Sequence, residues 1–164
     1  MVMDGTKVWD FLSTSPEQTI WLGRRLGRRL VAGSIVCLFG ELGAGKTTMV
    51  KGIAKGLGVS SVSEVISPSF VLVRCYEGRL PLYHFDLFRL KDVSQIYDIG
   101  CDEMFYSSGV SVIEWPQRLR GIMPPSYLKI ELRRQEKGLR RIRLSATSGE
   151  YSAILKSLYA DIRH

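Results

Sequence analysis

The sequence is poor in cysteine, the residue on which disulfide frameworks and most structural zinc sites depend. It has 3 cysteines in 164 residues. Cys37, Cys75 and Cys101 are widely spaced and include no C-x-x-C pair, which argues against both kinds of site. We expect each cysteine to be a small residue of the hydrophobic core.

The sequence also lacks long apolar segments. No stretch approaches the roughly 20 consecutive apolar residues with which a helix crosses a bilayer. Its beginning, MVMDGTKVWDFLS, has neither a basic leader nor a long apolar run, the two features of a secretory signal. We therefore expect a cytoplasmic protein with no membrane partner.

The length and the apolar content suit one globular domain. A chain of 164 residues with 45% apolar residues can build a hydrophobic core without disulfides or metal. We see no repeat, low-complexity segment or linker along the chain. The sequence therefore predicts a single domain over residues 1–164.

Positive charge is in excess and is clustered. The net charge is +7, and arginines gather in residues 24–29 and again in the segment Arg133–Arg143. A basic surface attracts RNA, acidic proteins or nucleotide phosphates. The same pattern is equally typical of a solvated face, so charge by itself identifies no partner.

Helix and strand signals alternate along the chain. Ser15–Pro16 marks a helix start, and apolar residues at near-helical spacing continue until Gly33. The apolar, β-branched run Ser34–Phe39 favours a buried parallel strand, and a second helix runs from Lys46 to Gly58. The other predicted elements are an edge strand at Lys7–Leu12, a hairpin of Phe70–Tyr76 with Leu80–Phe85, short helices at Asp92–Asp98 and Cys101–Tyr106, a buried strand at Gly109–Ile113, a strand pair of Tyr127–Leu132 with Arg140–Thr147, and a helix after Ser148. This alternation predicts an α/β fold.

The segment between the buried strand and the second helix carries the strongest functional signal. Gly40–Thr47 matches G-x-x-x-x-G-K-[ST] in full and has the strand and helix context that this phosphate-binding loop requires. Its glycines allow backbone amides to point at phosphates, and the helix start adds the positive end of its dipole. Lys46 is expected to reach the β- and γ-phosphates, and Thr47 to offer its hydroxyl to Mg²⁺.

A loop of this kind needs a further carboxylate near the metal, at the end of a neighbouring buried strand. Two acids fit this description. Asp86 follows the apolar run Leu80–Phe85, and Glu114 follows Val110–Ile113. One of them is expected to hold Mg²⁺ and the other to orient the attacking water, and the residues alone do not rank them.

Three features near these acids have two interpretations each. His84 precedes Asp86 by two residues, and a histidine there is more often packed than catalytic. Trp115 is either a wall of the nucleotide site or an ordinary buried aromatic. Ser67–Ser69 is either a simple turn or a loop whose hydroxyls sense the γ-phosphate, as switch loops do.

Together these motifs resemble the TsaE family, also called YjeE, the bacterial ATPase needed for threonylcarbamoyladenosine modification of tRNA. LYHFDLFRL and IEWPQ, at this spacing after the phosphate loop, are far more specific than the loop itself. The resemblance covers about residues 15–147 and rests on GELGAGKTT at Gly40–Thr48, SPSFVLV at Ser67–Val73, LYHFDLFRL at Leu82–Leu90 and VIEWPQRL at Val112–Leu119.

The resemblance implies a single-domain P-loop NTPase-like fold, with a mixed sheet and flanking helices, that hydrolyses ATP slowly with Mg²⁺. TsaB and TsaD are the implied protein partners, and tRNA is reached indirectly through their complex. TsaD transfers the threonylcarbamoyl group to the adenosine next to the anticodon.

For the site, the resemblance implies that Thr47 and Glu114 are the Mg²⁺ ligands and that Lys46 and Asp86 serve hydrolysis. Trp115 would lie beside the nucleotide. The residues expected to bind ATP or ADP are Leu42, Gly43, Ala44, Gly45, Lys46, Thr47, Thr48 and Trp115.

Two other functions stay open from the residues. A small-molecule P-loop kinase would use the same loop, although no arginine-rich lid is evident. A nucleotide-dependent RNA-binding module would account for the basic charge. The sequence does not single out an arginine that stabilises the transition state, since Arg89, Arg118 and the Arg133–Arg143 cluster are all candidates, and an arginine supplied by a partner would leave basal turnover low.

Overall fold

A computed structural model describes residues 2–3 and 6–164 of the chain, with side chains from Lys7 onward. The described strands are β1 (Val2–Met3), β2 (Thr6–Ser13), β3 (Ile35–Phe39), β4 (Val73–Tyr76), β5 (Leu82–Asp86), β6 (Val110–Glu114), β7 (Leu128–Arg134) and β8 (Arg140–Ala146). The described α-helices are α1 (Pro16–Gly27), α2 (Lys46–Gly56), α3 (Ser94–Asp98), α4 (Cys101–Phe105) and α5 (Gly149–Ile162). The predicted α/β class is confirmed. The single-domain prediction for residues 1–164 extends to residues outside those described and stays a prediction.

The strands form one mixed sheet in the order β1-β2-β8-β7-β3-β6-β5-β4. The central strands β7, β3, β6 and β5 are mutually parallel, and the outer strands join antiparallel. The predicted mixed sheet with flanking helices is therefore confirmed. Because the carboxyl ends of β3, β5 and β6 meet at one edge, this edge is where an α/β sheet binds its ligand.

Each face of the sheet is covered by its own hydrophobic cluster. Helices α1, α2 and α5 pack on one face through residues such as Leu26, Ile53 and Leu158. Helices α3 and α4 pack on the other face through Ile96 and Phe105. Strand β3 is covered on both faces, which explains why its sequence is continuously apolar and does not alternate. Among the residues described, no helix combines the length and the apolar character needed to cross a membrane.

Helices α1 and α2 pack so closely that glycine is required on both. A Cβ on Gly27 would lie 2.4 Å from the carbonyl oxygen of Ile53, and a Cβ on Gly56 would lie 2.3 Å from that of Arg24. This close approach holds α2 at a defined position beside α1. The amino end of α2, where the phosphate loop finishes, is positioned by the same contact.

Helix α1 starts where the sequence predicts but ends earlier. The side-chain oxygen of Ser15 accepts a hydrogen bond from the N–H of Gln18 at 3.2 Å, which is an N-cap. The predicted end at Gly33 is wrong, because the helix stops at Gly27. The N–H of Arg29 bonds to the carbonyl of Leu26 in a tighter turn, and further turns lead to β3.

The first strand of the predicted hairpin is shorter than expected. It begins at Val73, because Leu72 has a φ of +66° that interrupts an extended strand. The N–H groups of Val71 and Leu72 both bond to the carbonyl of Pro68. Residues 68–72 therefore form a turn above the strand ends, and β4 still pairs antiparallel with β5 as predicted.

Two smaller predictions are also wrong. Strand β2 is not the edge of the sheet, because β1 pairs along its outer side. Cys37 and Cys101 are buried as expected, but Cys75 is exposed; it lies on β4, the edge strand of the sheet.

Candidate nucleotide site

The phosphate loop joins the carboxyl end of β3 to the first turn of α2. Gly43 and Gly45 have φ values of +78° and +105°, the left-handed conformation that favours glycine. Gly45 immediately precedes α2, so the loop leads into a helix start whose first N–H groups have no partner within the helix. The loop thus combines a glycine-dependent turn with the helix terminus that phosphate binding uses.

Lys46 is held inside the loop. Its Nζ donates hydrogen bonds to the carbonyl oxygens of Gly40 at 2.6 Å and Glu41 at 2.8 Å, and it lies 4.3 Å from the centre of the Trp115 ring. Burial lowers the pKa of Lys46 from its ordinary value, and the nearby charge of Glu114 opposes that shift. The ammonium group is therefore largely desolvated and already next to the space where phosphates would lie.

Thr47 and Glu114 meet directly beside Lys46. The Thr47 hydroxyl donates to Oε1 of Glu114 at 2.9 Å, although the two residues are 67 positions apart. Glu114 is the last residue of β6 and is buried. A hydroxyl and a carboxylate oxygen are ligands that Mg²⁺ accepts, and a pair of them leaves other coordination positions for phosphate and water. The residues present therefore fit a magnesium ion.

His84 forms a hydrogen bond with the same carboxylate. It is fully buried, and its Nε2 lies 2.9 Å from Oε1 of Glu114. An ionised carboxylate only accepts hydrogen bonds, so Nε2 is the donor. The histidine is therefore packed, as expected, and it also bonds to Glu114, which sequence reasoning missed. This contact could have been predicted only from the knowledge that β5 pairs with β6.

Asp86 lies next to Glu114 across the parallel strands β5 and β6. One of its carboxylate oxygens accepts from the N–H of Phe88 at 3.0 Å, and the other accepts from the Ser67 hydroxyl. The two acids that the sequence left unranked therefore differ in surroundings. Glu114 faces Thr47, whereas Asp86 faces the Ser67–Ser69 loop.

Trp115 forms a wall of the site. Its φ of +58° is unusual for a bulky residue and turns the ring out of line with β6. The ring centre lies 5.0 Å from that of Phe88 and 4.3 Å from Nζ of Lys46. The ring is partly buried between two clefts, so it serves as a wall of the site as well as a packed aromatic.

The cleft above the loop has a volume of about 420 Å³. All but one of the residues predicted to serve the nucleotide or the metal line it, and Ala44 is buried beneath the loop. Ser67 and Ser69 also line the cleft, as a nucleotide-sensing loop would. The lining is completed by Arg89, one of the candidate arginines, and by Phe88, for which the sequence contains no signal beyond its place in LYHFDLFRL.

The structure separates the candidate arginines. Arg89 lines the cleft, where its guanidinium lies 4.3 Å from the centre of the Phe70 ring. Phe70 is 83% exposed, so this contact belongs to the surface loop. Arg134 lies close to the loop itself, since a Cβ on Gly43 would lie 3.7 Å from its Nη1. Arg118 is not among the residues that line the cleft.

A second cleft of about 510 Å³ opens on the far side of Trp115. Its lining includes Gly40 of the phosphate loop, Gln117, and residues 131–135 at the end of β7. The Arg133–Arg143 cluster therefore begins at the border of the nucleotide site, although most of it lies outside.

Comparison with known proteins identifies a family. The family model described as "Threonylcarbamoyl adenosine biosynthesis protein TsaE" matches residues 13–142. A protein of Treponema pallidum named "tRNA threonylcarbamoyladenosine biosynthesis protein TsaE" is 44% identical over 131 residues, covering 80% of this chain and 96% of the relative. A Bacillus subtilis protein of the same name is 35% identical over 147 residues, covering 89% and 90%.

A solved structure is also similar over almost the whole chain. The crystal structure of Bacillus subtilis YdiB superposes with a TM-score of 0.83 at 29% sequence identity. The similarity covers 95% of this chain and 97% of YdiB, so the mixed sheet and its helices recur in that protein.

Proposed function

The chain belongs to the TsaE family and acts in the biosynthesis of threonylcarbamoyladenosine in tRNA, and we propose that it does so as a magnesium-dependent ATPase. The observation that carries this proposal is the direct contact between the Thr47 hydroxyl and the Glu114 carboxylate at the phosphate loop. Lys46 and Asp86 line the same cleft, so the parts that phosphoryl transfer requires lie together.

The loop and Lys46 bind and position the phosphates. Backbone N–H groups of residues 42–48 surround them, and Lys46 exchanges its bonds to the carbonyls of Gly40 and Glu41 for bonds to the β- and γ-phosphates. This exchange is favourable because an ammonium group binds a charged oxygen more strongly than a neutral carbonyl.

Thr47 and Glu114 hold the metal, and Asp86 acts on the water. When bound, Mg²⁺ neutralises negative charge on the phosphate oxygens. The Asp86 carboxylate, which faces the cleft beside Glu114, orients the attacking water and accepts its proton. Trp115 closes the side of the cleft and limits the access of other water molecules.

Ser67 couples the presence of a nucleotide in the cleft to the position of the Ser67–Ser69 loop. Its hydroxyl bonds to Asp86, the residue assigned to the attacking water. A γ-phosphate that draws the Ser67–Ser69 loop inward would release Asp86 for catalysis. The same movement would free Arg89 from the Phe70 ring, so that its guanidinium could stabilise the transition state.

We further propose that TsaB and TsaD are the partners and that they raise turnover by favouring this loop movement. The tRNA is reached through their complex, in which TsaD transfers the threonylcarbamoyl group to the adenosine next to the anticodon. In the isolated chain, the contact of Arg89 with Phe70 keeps the arginine from the phosphates and turnover low.

The test is ATP hydrolysis by the purified chain, alone and with TsaB, TsaD and tRNA. Lys46→Ala and Glu114→Ala should abolish turnover, whereas the matched controls Lys55→Ala and Glu103→Ala, at exposed positions, should not. Release of inorganic phosphate separates hydrolysis from a small-molecule kinase, which would transfer the phosphoryl group to a metabolite. Turnover that is indifferent to the partners would contradict the proposed coupling.

A further inference from the structure

The hairpin formed by β7 and β8, with the turn that joins the two strands, carries most of the excess charge of the chain. Residues 129–143 contain seven lysines and arginines and two glutamates, a net charge of +5 out of +7 for the whole chain. The side chains of Lys129 and Arg133 on β7 and of Arg141 and Arg143 on β8 leave the sheet on the face opposite to α5. We call these four residues the hairpin face.

The strand register places like charges directly opposite each other. Arg133 pairs with Arg141, and Arg134 pairs with Arg140, an arrangement that destabilises an antiparallel sheet. Within the described residues, none of these four arginines forms an ion pair. The flanking basic residues are compensated, since Lys129 contacts Glu131 at 3.3 Å and Arg143 contacts Asp10 at 2.8 Å. The uncompensated charge is therefore confined to one end of the hairpin.

This end of the hairpin adjoins the phosphate loop. Arg133 and Arg134 line the second cleft together with Gly40 and Trp115. Arg134 also approaches Gly43 at the top of the loop. A ligand that spans the hairpin face would therefore lie beside the nucleotide cleft without needing to enter it.

We propose that the hairpin face binds the phosphate backbone of RNA. Guanidinium groups bind phosphate oxygens with two parallel hydrogen bonds, and the paired Arg133 and Arg141 present two such groups side by side on adjacent strands. The cores of protein–protein interfaces are apolar and depleted in charge, whereas interfaces with nucleic acid are polar and strongly positive. The hairpin face has the second composition. The proposal does not depend on ATP hydrolysis.

The experiment is fluorescence anisotropy of a labelled, unmodified tRNA transcript titrated with the full chain between 50 and 200 mM KCl. The test variant is Arg133→Gln/Arg141→Gln. The matched control is Arg24→Gln/Arg28→Gln, which removes two charges from exposed positions on α1 and directly after it. The test variant should bind about 10-fold more weakly, and the slope of log K against log salt should fall by about 1.4 to 1.8. The control should change the affinity by less than about 3-fold, since its arginines make no phosphate contact.

Thermal unfolding supplies an independent readout. Removal of the Arg133–Arg141 repulsion should leave the melting temperature of the test variant equal to or above that of the wild type. Weaker binding then reflects lost contacts and not loss of the fold.

Three results would overturn the proposal: an equal loss of RNA binding in both variants, no salt-dependent binding by the wild type, or weakened binding to TsaB or TsaD while RNA binding stays unchanged. The last result would assign the face to a protein interface. Hydrolysis by the wild-type chain is measured separately, so its absence would contradict the ATPase proposal and leave the RNA result intact.

Discussion

Replacement of His84 tests a residue that bonds to a proposed metal ligand without being a ligand itself. His84 is fully buried and is not among the residues that line the cleft, and its side chain forms a hydrogen bond from Nε2 to Oε1 of Glu114 at 2.9 Å. Leucine at this position fills a similar volume but cannot donate. Glutamine can donate from an amide nitrogen at nearly the same distance from the backbone. We therefore expect His84→Leu to impair the site and His84→Gln to restore most of it.

The size of the effect follows from the contact that is lost. A hydrogen bond to a buried charged group contributes about 1.5–3 kcal/mol, and loss of a partner that orients a metal ligand typically weakens metal affinity by 10- to 100-fold. Glu114 would keep its bond from Thr47, so its orientation is loosened and not abolished. The Mg²⁺ concentration for half-maximal ATP hydrolysis should rise by roughly 10- to 100-fold in His84→Leu, with a much smaller change at saturating Mg²⁺.

The assay is ATP hydrolysis titrated with Mg²⁺ for the wild type, His84→Leu and His84→Gln, with thermal unfolding of each variant in parallel. A wild-type Mg²⁺ dependence in His84→Leu would refute the positioning role of His84. So would an equal defect in both variants, because glutamine retains the donor. A loss of turnover that saturating Mg²⁺ does not restore would place the role of His84 elsewhere in the reaction.

Three further predictions concern the frame of the site and its charges. Gly56→Ala should lower the free energy of unfolding, measured by chemical denaturation, by about 1–3 kcal/mol, because the new Cβ would lie 2.3 Å from the carbonyl oxygen of Arg24. The control Gly149→Ala should leave the free energy of unfolding unchanged, because its Cβ would meet nothing within 4 Å. ADP affinity should weaken as the pH rises from neutral to alkaline, because burial lowers the pKa of Lys46 below its ordinary 10.5 and only the charged form binds phosphate. An affinity that calorimetry finds independent of pH would contradict this. With TsaB and TsaD present, Arg89→Ala should lower kcat by roughly 100-fold while ADP binding changes little, and an equal loss of both would show that Arg89 serves binding alone.

The phosphate loop could be predicted from the sequence because its chemistry lies within consecutive residues. The conformations of Gly43 and Gly45, the helix start at Lys46 and the neighbouring hydroxyl of Thr47 follow from spacing along the chain and from local steric rules. The continuous apolar run of β3 likewise indicates, by its pattern alone, a strand that is buried on both faces.

Element ends were harder to predict, because they depend on single backbone conformations. The apolar residues around Leu72 suggested that a strand begins at Phe70, yet the positive φ of Leu72 and two hydrogen bonds to Pro68 produce a turn. The end of α1 at Gly27 was misplaced for a different reason, since Leu30 is buried and continues the apolar pattern beyond the helix.

The different surroundings of the two acids could not be derived from local patterns. Asp86 and Glu114 both follow apolar strands, and their sequence contexts look alike. The strand order brings them side by side. The packing of α2 places Thr47 against Glu114, and the 67–72 segment contacts Asp86. The phosphate loop is thus specified by residues that are neighbours along the chain. The partners of each carboxylate depend on the register of the parallel strands. That register is set by the burial of both faces of the sheet, which involves residues far apart in the sequence.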